Sequence, residues 1–107
     1  MKFHVEAREL HVDPQLRSYI HRVVSFTTRY FPLRACRVEI ETEATCGNDA
    51  SPIRCTIEAA LGELPRIRSE ASGASVSEAL HEACDRLERQ LGAATMDFDD
   101  VVELRAA

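Results

Sequence analysis

Apolar and polar residues alternate through residues 2–8, with Phe3, Val5 and Ala7 on one side and Lys2, His4, Glu6 and Arg8 on the other. A period of two is that of a half-buried strand. The period then changes. Asp13-Pro14 has the chemistry of a helix start, because aspartate caps free amides and proline suits the first helical position. Leu16, Tyr19, Ile20, Val23, Thr27 and Tyr30 recur at spacings of three and four and predict the buried stripe of a helix that Pro32 stops. Arg17, His21, Arg22, Ser25, Thr28 and Arg29 take its other faces.

A second strand is predicted over residues 35–44, with Cys36, Val38, Ile40 and Thr42 inward and Arg37, Glu39, Glu41 and Glu43 outward. The stretch from Gly47 to Pro52 reads as a loop by composition. A third strand places Ile53, Cys55, Ile57, Ala59 and Leu61 on one face and Arg54, Thr56 and Glu58 on the other. After a turn at Gly62-Glu63 comes a shorter fourth strand, about residues 65–71, with Ile67 and Ala71 inward. Ser75-Val76-Ser77-Glu78 is a capping box. The helix it opens carries one stripe of Val76, Ala79, Leu80, Ala83, Leu87 and Leu91, and Gly92 stands where a helix-ending glycine belongs.

The predicted order is therefore β-α-β-β-β-α. Every strand has one apolar and one charged face. That calls for an α+β two-layer sandwich, a four-stranded, largely antiparallel sheet with both helices on one side. Residues 1–92 are expected to form this domain and 93–107 a tail. The tail combines Asp97, Asp99, Asp100 and Glu103 with Met96, Phe98, Val101, Val102 and Leu104. It is too apolar for a plain solubilising tail. An added edge strand, a cover for the open sheet face, and a contact with another subunit are all compatible with it.

The length of 107 residues fits one domain. No apolar run approaches the ~20 residues of a membrane span, and the N-terminus has no signal-peptide core. A cytoplasmic protein without membrane contact is expected. Of the cysteines, Cys36, Cys55 and Cys84 fall on apolar positions and read as small buried hydrophobes, whereas Cys46 lies beside Gly47 in the loop. No disulfide is expected in that compartment.

Charge changes the picture more. Every charged residue between Pro14 and Val38 is an arginine: Arg17, Arg22, Arg29, Arg34 and Arg37, with His21 beside them. Residues 1–38 carry seven Lys/Arg against three acids, a balance of +4, whereas residues 39–107 carry six against fifteen, a balance of −9. The whole-chain charge of −5 argues against a nucleic-acid partner, and the local charge argues for one.

Candidate chemistry elsewhere is sparse. His4, His11, His21 and His81 form no pair at ligand spacing, so no metal or other cofactor is expected. There is no nucleophile elbow, phosphate loop or dinucleotide turn, and no enzyme is expected. Glu39, Glu41 and Glu43 line one strand face and are expected to pair with arginines of neighbouring strands, such as Arg54, Arg66 and Arg68. The arginine helix is the live candidate. Arg22 and Arg29 stack two turns apart, and Arg17 and His21 are four apart on an adjoining face. A planar guanidinium fork suits phosphate oxygens. The plain alternative is a solvated helix face whose arginines pair with acids of the second half.

Three stretches are familiar. Leu10-His11-Val12-Asp13-Pro14-Gln15-Leu16-Arg17-Ser18-Tyr19-Ile20 is similar to a strand-to-helix entry of the form ϕ-x-V-T-x-x-L-R-x-Y-ϕ. Arg29-Tyr30-Phe31 is similar to an R-Y-F that closes the first helix. Asp85-Arg86-Leu87-Glu88-Arg89-Gln90-Leu91 is similar to a closing D-K-L-E-R-Q-L. With the element order, they make the chain resemble the ribosome hibernation promoting factor and protein Y family over about residues 1–92. The resemblance implies a fold similar to double-stranded-RNA-binding domains. It also implies docking of the helical side on small-subunit (16S) ribosomal RNA, in the tRNA and mRNA channel, as a translation inhibitor of idle, stationary-phase ribosomes. Carried over by position, Arg17, Arg22 and Arg29 of the first helix and Arg86 and Arg89 of the second would contact RNA, Arg22 and Arg29 resting partly on the local charge, and His21 joins them as the neighbour of Arg17 one turn on. The chain departs from the family pattern where its second helix bears Glu78, Glu82, Asp85 and Glu88, and after Leu91, where a basic run is usual. Those acids motivate a second reading, a module of the same fold that has lost RNA affinity and binds a protein through its acidic half or tail. A tail that folds over the arginine helix and screens it would join the two readings.

Overall fold

A computed structural model of the chain describes residues 2–42 and 52–106, with 96–106 given by their backbone course. The elements are β1 (Lys2–Arg8), α1 (Pro14–Thr27), β2 (Ala35–Thr42), β3 (Ile53–Ala60), β4 (Ile67–Gly73) and α2 (Val76–Ala106). The strands lie side by side in chain order. β1 pairs parallel to β2, which requires a crossover, and α1 supplies it. The β2–β3 and β3–β4 pairs are antiparallel. This is the expected α+β two-layer fold. The predicted residues 43–44 of the second strand, the outward Glu43, the loop from Gly47 and Cys46 beside it lie outside the described residues.

Register explains the two faces. Val5, Val38, Ile57 and Ser69 form one row across the sheet beneath the helices. The core gathers there, with Ile20 and Val24 of α1 and Leu80, Leu87 and Leu91 of α2 fully buried over Val38, Ile40 and Ile57. Cys36, Cys55 and Cys84 are buried free thiols within it. Desolvation of the charged form pushes the Cys36 and Cys55 thiols up to about 12.

On the open face, the row Glu6, Glu39, Thr56 and Glu70 sets like charges opposite one another in β1 and β2. Arg37 resolves the conflict, with its Nη2 2.6 Å from Glu6 and 3.0 Å from Glu39. Arg54 reaches Glu41 at 2.9 Å and Glu70 at 3.1 Å, and Arg68 reaches Glu70 at 3.5 Å. Glu39 and Glu41 are thus paired with neighbouring arginines as expected, although for Glu39 these are Arg37 and Arg8.

Several inward and outward assignments need correction. Tyr30 is 80% exposed rather than buried, and Val24 and Thr28 replace it in the core. The cause is an early helix end. The Thr28 hydroxyl donates to the Val24 carbonyl at 2.8 Å, and the Phe31 amide bonds back to Thr28, which swings Tyr30 off the stripe. Ala7 is exposed because β1 is an edge strand with a neighbour on one side only. Thr56 is buried on the charged face, since the short side chain lies between flanking strands that carry long ion-paired ones. Ser69 is buried in the inward row and donates to the Ala83 carbonyl of α2 at 2.9 Å.

Both helix starts form as predicted. The Asp13 carboxylate accepts from the Leu16 amide at 2.8 Å, with Pro14 following. The Ser75 hydroxyl accepts from the Glu78 amide at 3.2 Å, and Glu78 accepts in return from Ala74 at 3.0 Å, one residue before the usual partner. Gly73 lets β4 run directly against this first turn: a Cβ there would stand 2.8 Å from the Ala79 nitrogen.

The end of α2 differs from expectation. The helix does not stop at Gly92 but continues to Ala106, so residues 93–106 form no edge strand. A glycine that ends a helix adopts positive φ, and Gly92 does not. Ala93 and Ala94 favour helix, no proline follows, and the Thr95 hydroxyl bonds back to the Leu91 carbonyl at 2.9 Å. One glycine costs only ~1 kcal/mol in such a run.

Candidate nucleic-acid interface

α1 lies in the outer layer because its apolar stripe is spent on the sheet and on α2. Its remaining surface is basic. Arg17 and His21 share the flank toward β1: an Arg17 Nη1 donates to the Val5 carbonyl at 3.3 Å, and the His21 ring stands edge-on to Phe3 with centroids 4.6 Å apart. The two line a shallow depression of about 350 Å³ with Phe3, His4, Val5 and Ser18. Arg22 and Arg29 lie toward α2, on the wall of a groove of about 450 Å³. The Arg22 guanidinium is 6.0 Å from the centre of the Tyr19 ring. That of Arg29 lies 3.9 Å from the Phe26 ring centre and 4.4 Å from that of Tyr30, and also donates to the Phe26 carbonyl.

None of Arg17, Arg22 and Arg29 has an acidic partner within 4.0 Å among the described residues. Among the described residues, the arginines of the sheet have carboxylate partners and those of α1 do not. The plain alternative, helix arginines paired with acids of the second half, has no ion pair to support it among the described residues.

α2 contributes differently. Glu78, Glu82, Asp85 and Arg89 follow at spacings of three and four and share its exposed outer face. Asp85 and Glu88, with His81, form the far wall of the groove opposite Arg22 and Arg29. Arg86 turns the other way, donating to the Glu70 carbonyl of β4 at 2.6 Å and sitting 3.4 Å from Glu82. The structure thus brings Arg17, His21, Arg22 and Arg29 onto one helix, sets Arg86 on the opposite flank of α2, and leaves Arg89 among acids. A Tyr19 hydroxyl contact of 2.7 Å to His81, and one of 3.3 Å to Ser77, tie the helices together where the groove begins.

The sequence reading did not single out Phe26 as a surface residue. Phe26 is 65% exposed and belongs to the arginine face. Its position four after Arg22 and three before Arg29, outside the apolar stripe, carried that signal. Among the described residues no His, Cys, Asp and Glu cluster has the arrangement of a metal site, and no helix is long and apolar enough to cross a membrane.

Fold and surface together define a small α+β domain that presents one basic helix beside an acidic one. The chain belongs to the family described as Sigma 54 modulation protein / S30EA ribosomal protein, which matches residues 3–94. Among solved structures, it is similar to the Protein Y N-terminal domain of Thermus thermophilus, with a TM-score of 0.70 and 22% identity over 85% of this chain and 96% of that one. It is also similar to a ribosomal subunit interface protein from Coxiella burnetii, with a TM-score of 0.72 and 12% identity over 90% of this chain and 99% of that one. At these identities the likeness is one of fold. No curated protein matches the chain in sequence.

Proposed function

We propose that the protein is a cytoplasmic ribosome-associated translation inhibitor. It docks α1 on 16S ribosomal RNA of the small subunit, in the channel that tRNA and mRNA use, and holds idle ribosomes inactive in stationary phase or under stress. Family membership supplies the ribosome. The observation that carries the RNA contact is the set of α1 arginines without acidic partners among the described residues. An arginine with no internal carboxylate gives up no ion pair when it meets a phosphate, whereas a paired one exchanges one anion for another.

Arg17, His21, Arg22 and Arg29 are the principal contacts in this reading. Arg86 and Arg89 are secondary, because Arg86 would have to leave Glu82 and the Glu70 carbonyl. The acids across the groove favour an approach over the crest of α1 and its β1 flank. Co-sedimentation with purified small subunits at low and moderate salt tests the proposal. Binding that weakens with salt is expected, and Arg22→Glu with Arg29→Glu should abolish it. Absence of binding at low salt would refute the reading.

The outer face of α2, with Glu78, Glu82 and Asp85, favours a second reading, a protein-binding module of the same fold. Charge reversal on α1 would leave such a partner bound.

A further inference from the structure

We propose that Phe26 and Tyr30, held around Arg29, form a stacking platform for an unpaired nucleobase of RNA. The inference rests on the RNA-binding reading above and adds to it a ligand group and two residues that the arginine pattern does not contain. Phe26 and Tyr30 are 65% and 80% exposed and are the large apolar side chains left in solvent among the described residues. They are adjacent and share one cation. The Arg29 guanidinium lies 3.9 Å from one ring centre and 4.4 Å from the other, and is fixed by its bond to the Phe26 carbonyl. The three planar groups are therefore restrained before any ligand arrives, which lowers the ordering cost of binding.

The chemistry favours a base over other partners. Each ring contacts Arg29 while most of its surface remains open, and an aromatic surface beside a cation suits the face of a nucleobase. Arg22 stands one turn before Phe26 with no acidic partner among the described residues, so it is available to the phosphate of the same nucleotide. α1 itself carries no acid, and of the groove that Phe26 also lines only the far wall, with Asp85 and Glu88, is acidic, so the crest of α1 attracts a polyanion rather than a basic peptide. A continuous duplex offers phosphates, riboses and base edges rather than base faces, so the platform selects a single-stranded, looped or bulged nucleotide.

The test compares a labelled oligoadenylate of about eight nucleotides with an abasic ribose-phosphate chain of the same length. Each is titrated with the wild-type protein and with the Phe26→Leu/Tyr30→Leu variant. Both rings are exposed, so the variant keeps its fold, which thermal melting checks. The expected result is a loss of roughly tenfold in oligoadenylate affinity, with the salt dependence and the abasic affinity unchanged. With no tryptophan and two tyrosines in the chain, the Tyr19→Phe variant leaves Tyr30 as the sole emitter, and oligoadenylate should quench it where the abasic chain does not. Wild-type protein that binds both chains equally, or a double variant that binds oligoadenylate as tightly as wild type, overturns the platform. If wild type and variant sediment equally with small subunits, the platform is refuted and the ribosomal reading stands. If wild type binds neither small subunits nor RNA, the reading beneath it falls as well. Unchanged RNA affinity with loss of a co-purifying protein would assign the rings to a protein contact instead.

Discussion

Replacing Arg22 and Arg29 together by glutamine removes two cations from α1 while keeping helix propensity. Neither has an acidic partner within 4.0 Å among the described residues, so each is counted as one full phosphate contact. A released counterion contributes about −0.7 to −0.9 to the slope of log affinity against log salt. The double variant should therefore bind RNA with a slope shallower by about 1.4–1.8. Between about 50 and 200 mM salt, wild-type affinity should fall roughly 7- to 12-fold more than that of the variant. The fold should hardly register the change, since each lost ring or carbonyl contact is worth about 1 kcal/mol or less at an exposed site. Arg86→Gln is the control. Its guanidinium is bonded to the Glu70 carbonyl and lies beside Glu82, so its removal should move the slope by less than one contact, below about 0.7, and lower the melting temperature instead. Filter binding or anisotropy with small-subunit RNA at several salt concentrations measures all three proteins. If the slope is unaltered in Arg22→Gln/Arg29→Gln, or if Arg86→Gln alone changes it equally, the reasoning from unpaired arginines is wrong.

Gly92→Ala should stabilise the protein by about 0.5–1 kcal/mol and raise its melting temperature, because nothing lies within 4 Å of the added methyl and the helix runs through; a lower melting temperature would show a left-handed cap at that position. Gly73→Ala should destabilise by about 1–3 kcal/mol, since its Cβ would press 2.8 Å from the Ala79 nitrogen and 2.9 Å from the Glu78 Cβ; an unchanged melt would mean that the β4–α2 junction yields freely. In the Cys46→Ala variant, Cys36, Cys55 and Cys84 should resist a thiol reagent near pH 8 until denaturant is added, as burial raises all three thiols and takes Cys36 and Cys55 to about 12; fast native labelling would contradict this. Hydrogen bonds from Arg37 and then His4 hold the Glu6 carboxyl below its ordinary 4.5. A carboxylate depressed in the folded state contributes stability above its unfolded value and loses it as pH falls through the folded one. Glu6→Gln should therefore flatten the acid limb of the stability curve below that value, and an unchanged limb would show that the Arg37 bridge carries no such linkage.

What was legible in the sequence was local. The caps at Asp13 and Ser75, most of the strand alternation and the stripe of α2 each depend on residues a few positions apart, and these formed. The assignments that failed depend on distant partners or on competition. Tyr30 sits at a proper helical spacing, but the Thr28 hydroxyl ends α1 before the stripe reaches it. Ser69 looked polar until the Ala83 carbonyl came within 2.9 Å. Gly92 carried a helix-end signal that the flanking alanines overrode. The site divides in the same way. The cationic character of α1 was readable from composition, because no acid occurs in the stretch. Whether each arginine was paired was not readable, because Arg37 and Arg86 differ from Arg22 and Arg29 only through what β1, β2, β4 and α2 place beside them.

That division gives the charge asymmetry a structural meaning. On the open sheet face Lys2, Arg8, Arg37, Arg54 and Arg68 meet Glu6, Glu39, Glu41, Glu58 and Glu70, so its field largely cancels. The outer face of α2 is acidic. Among the described residues, Arg17, Arg22 and Arg29 gather positive charge without ion pairs on α1, in a chain of net charge −5. Under the RNA-binding reading, a polyanion is attracted along α1 and repelled by the acidic outer face of α2. A uniformly basic domain would bind RNA in many poses with little discrimination. Under the proposed function, the acids of the second half are part of the recognition: they confine a modest number of phosphate contacts to one pose, and leave the acidic face of α2 turned away from the RNA.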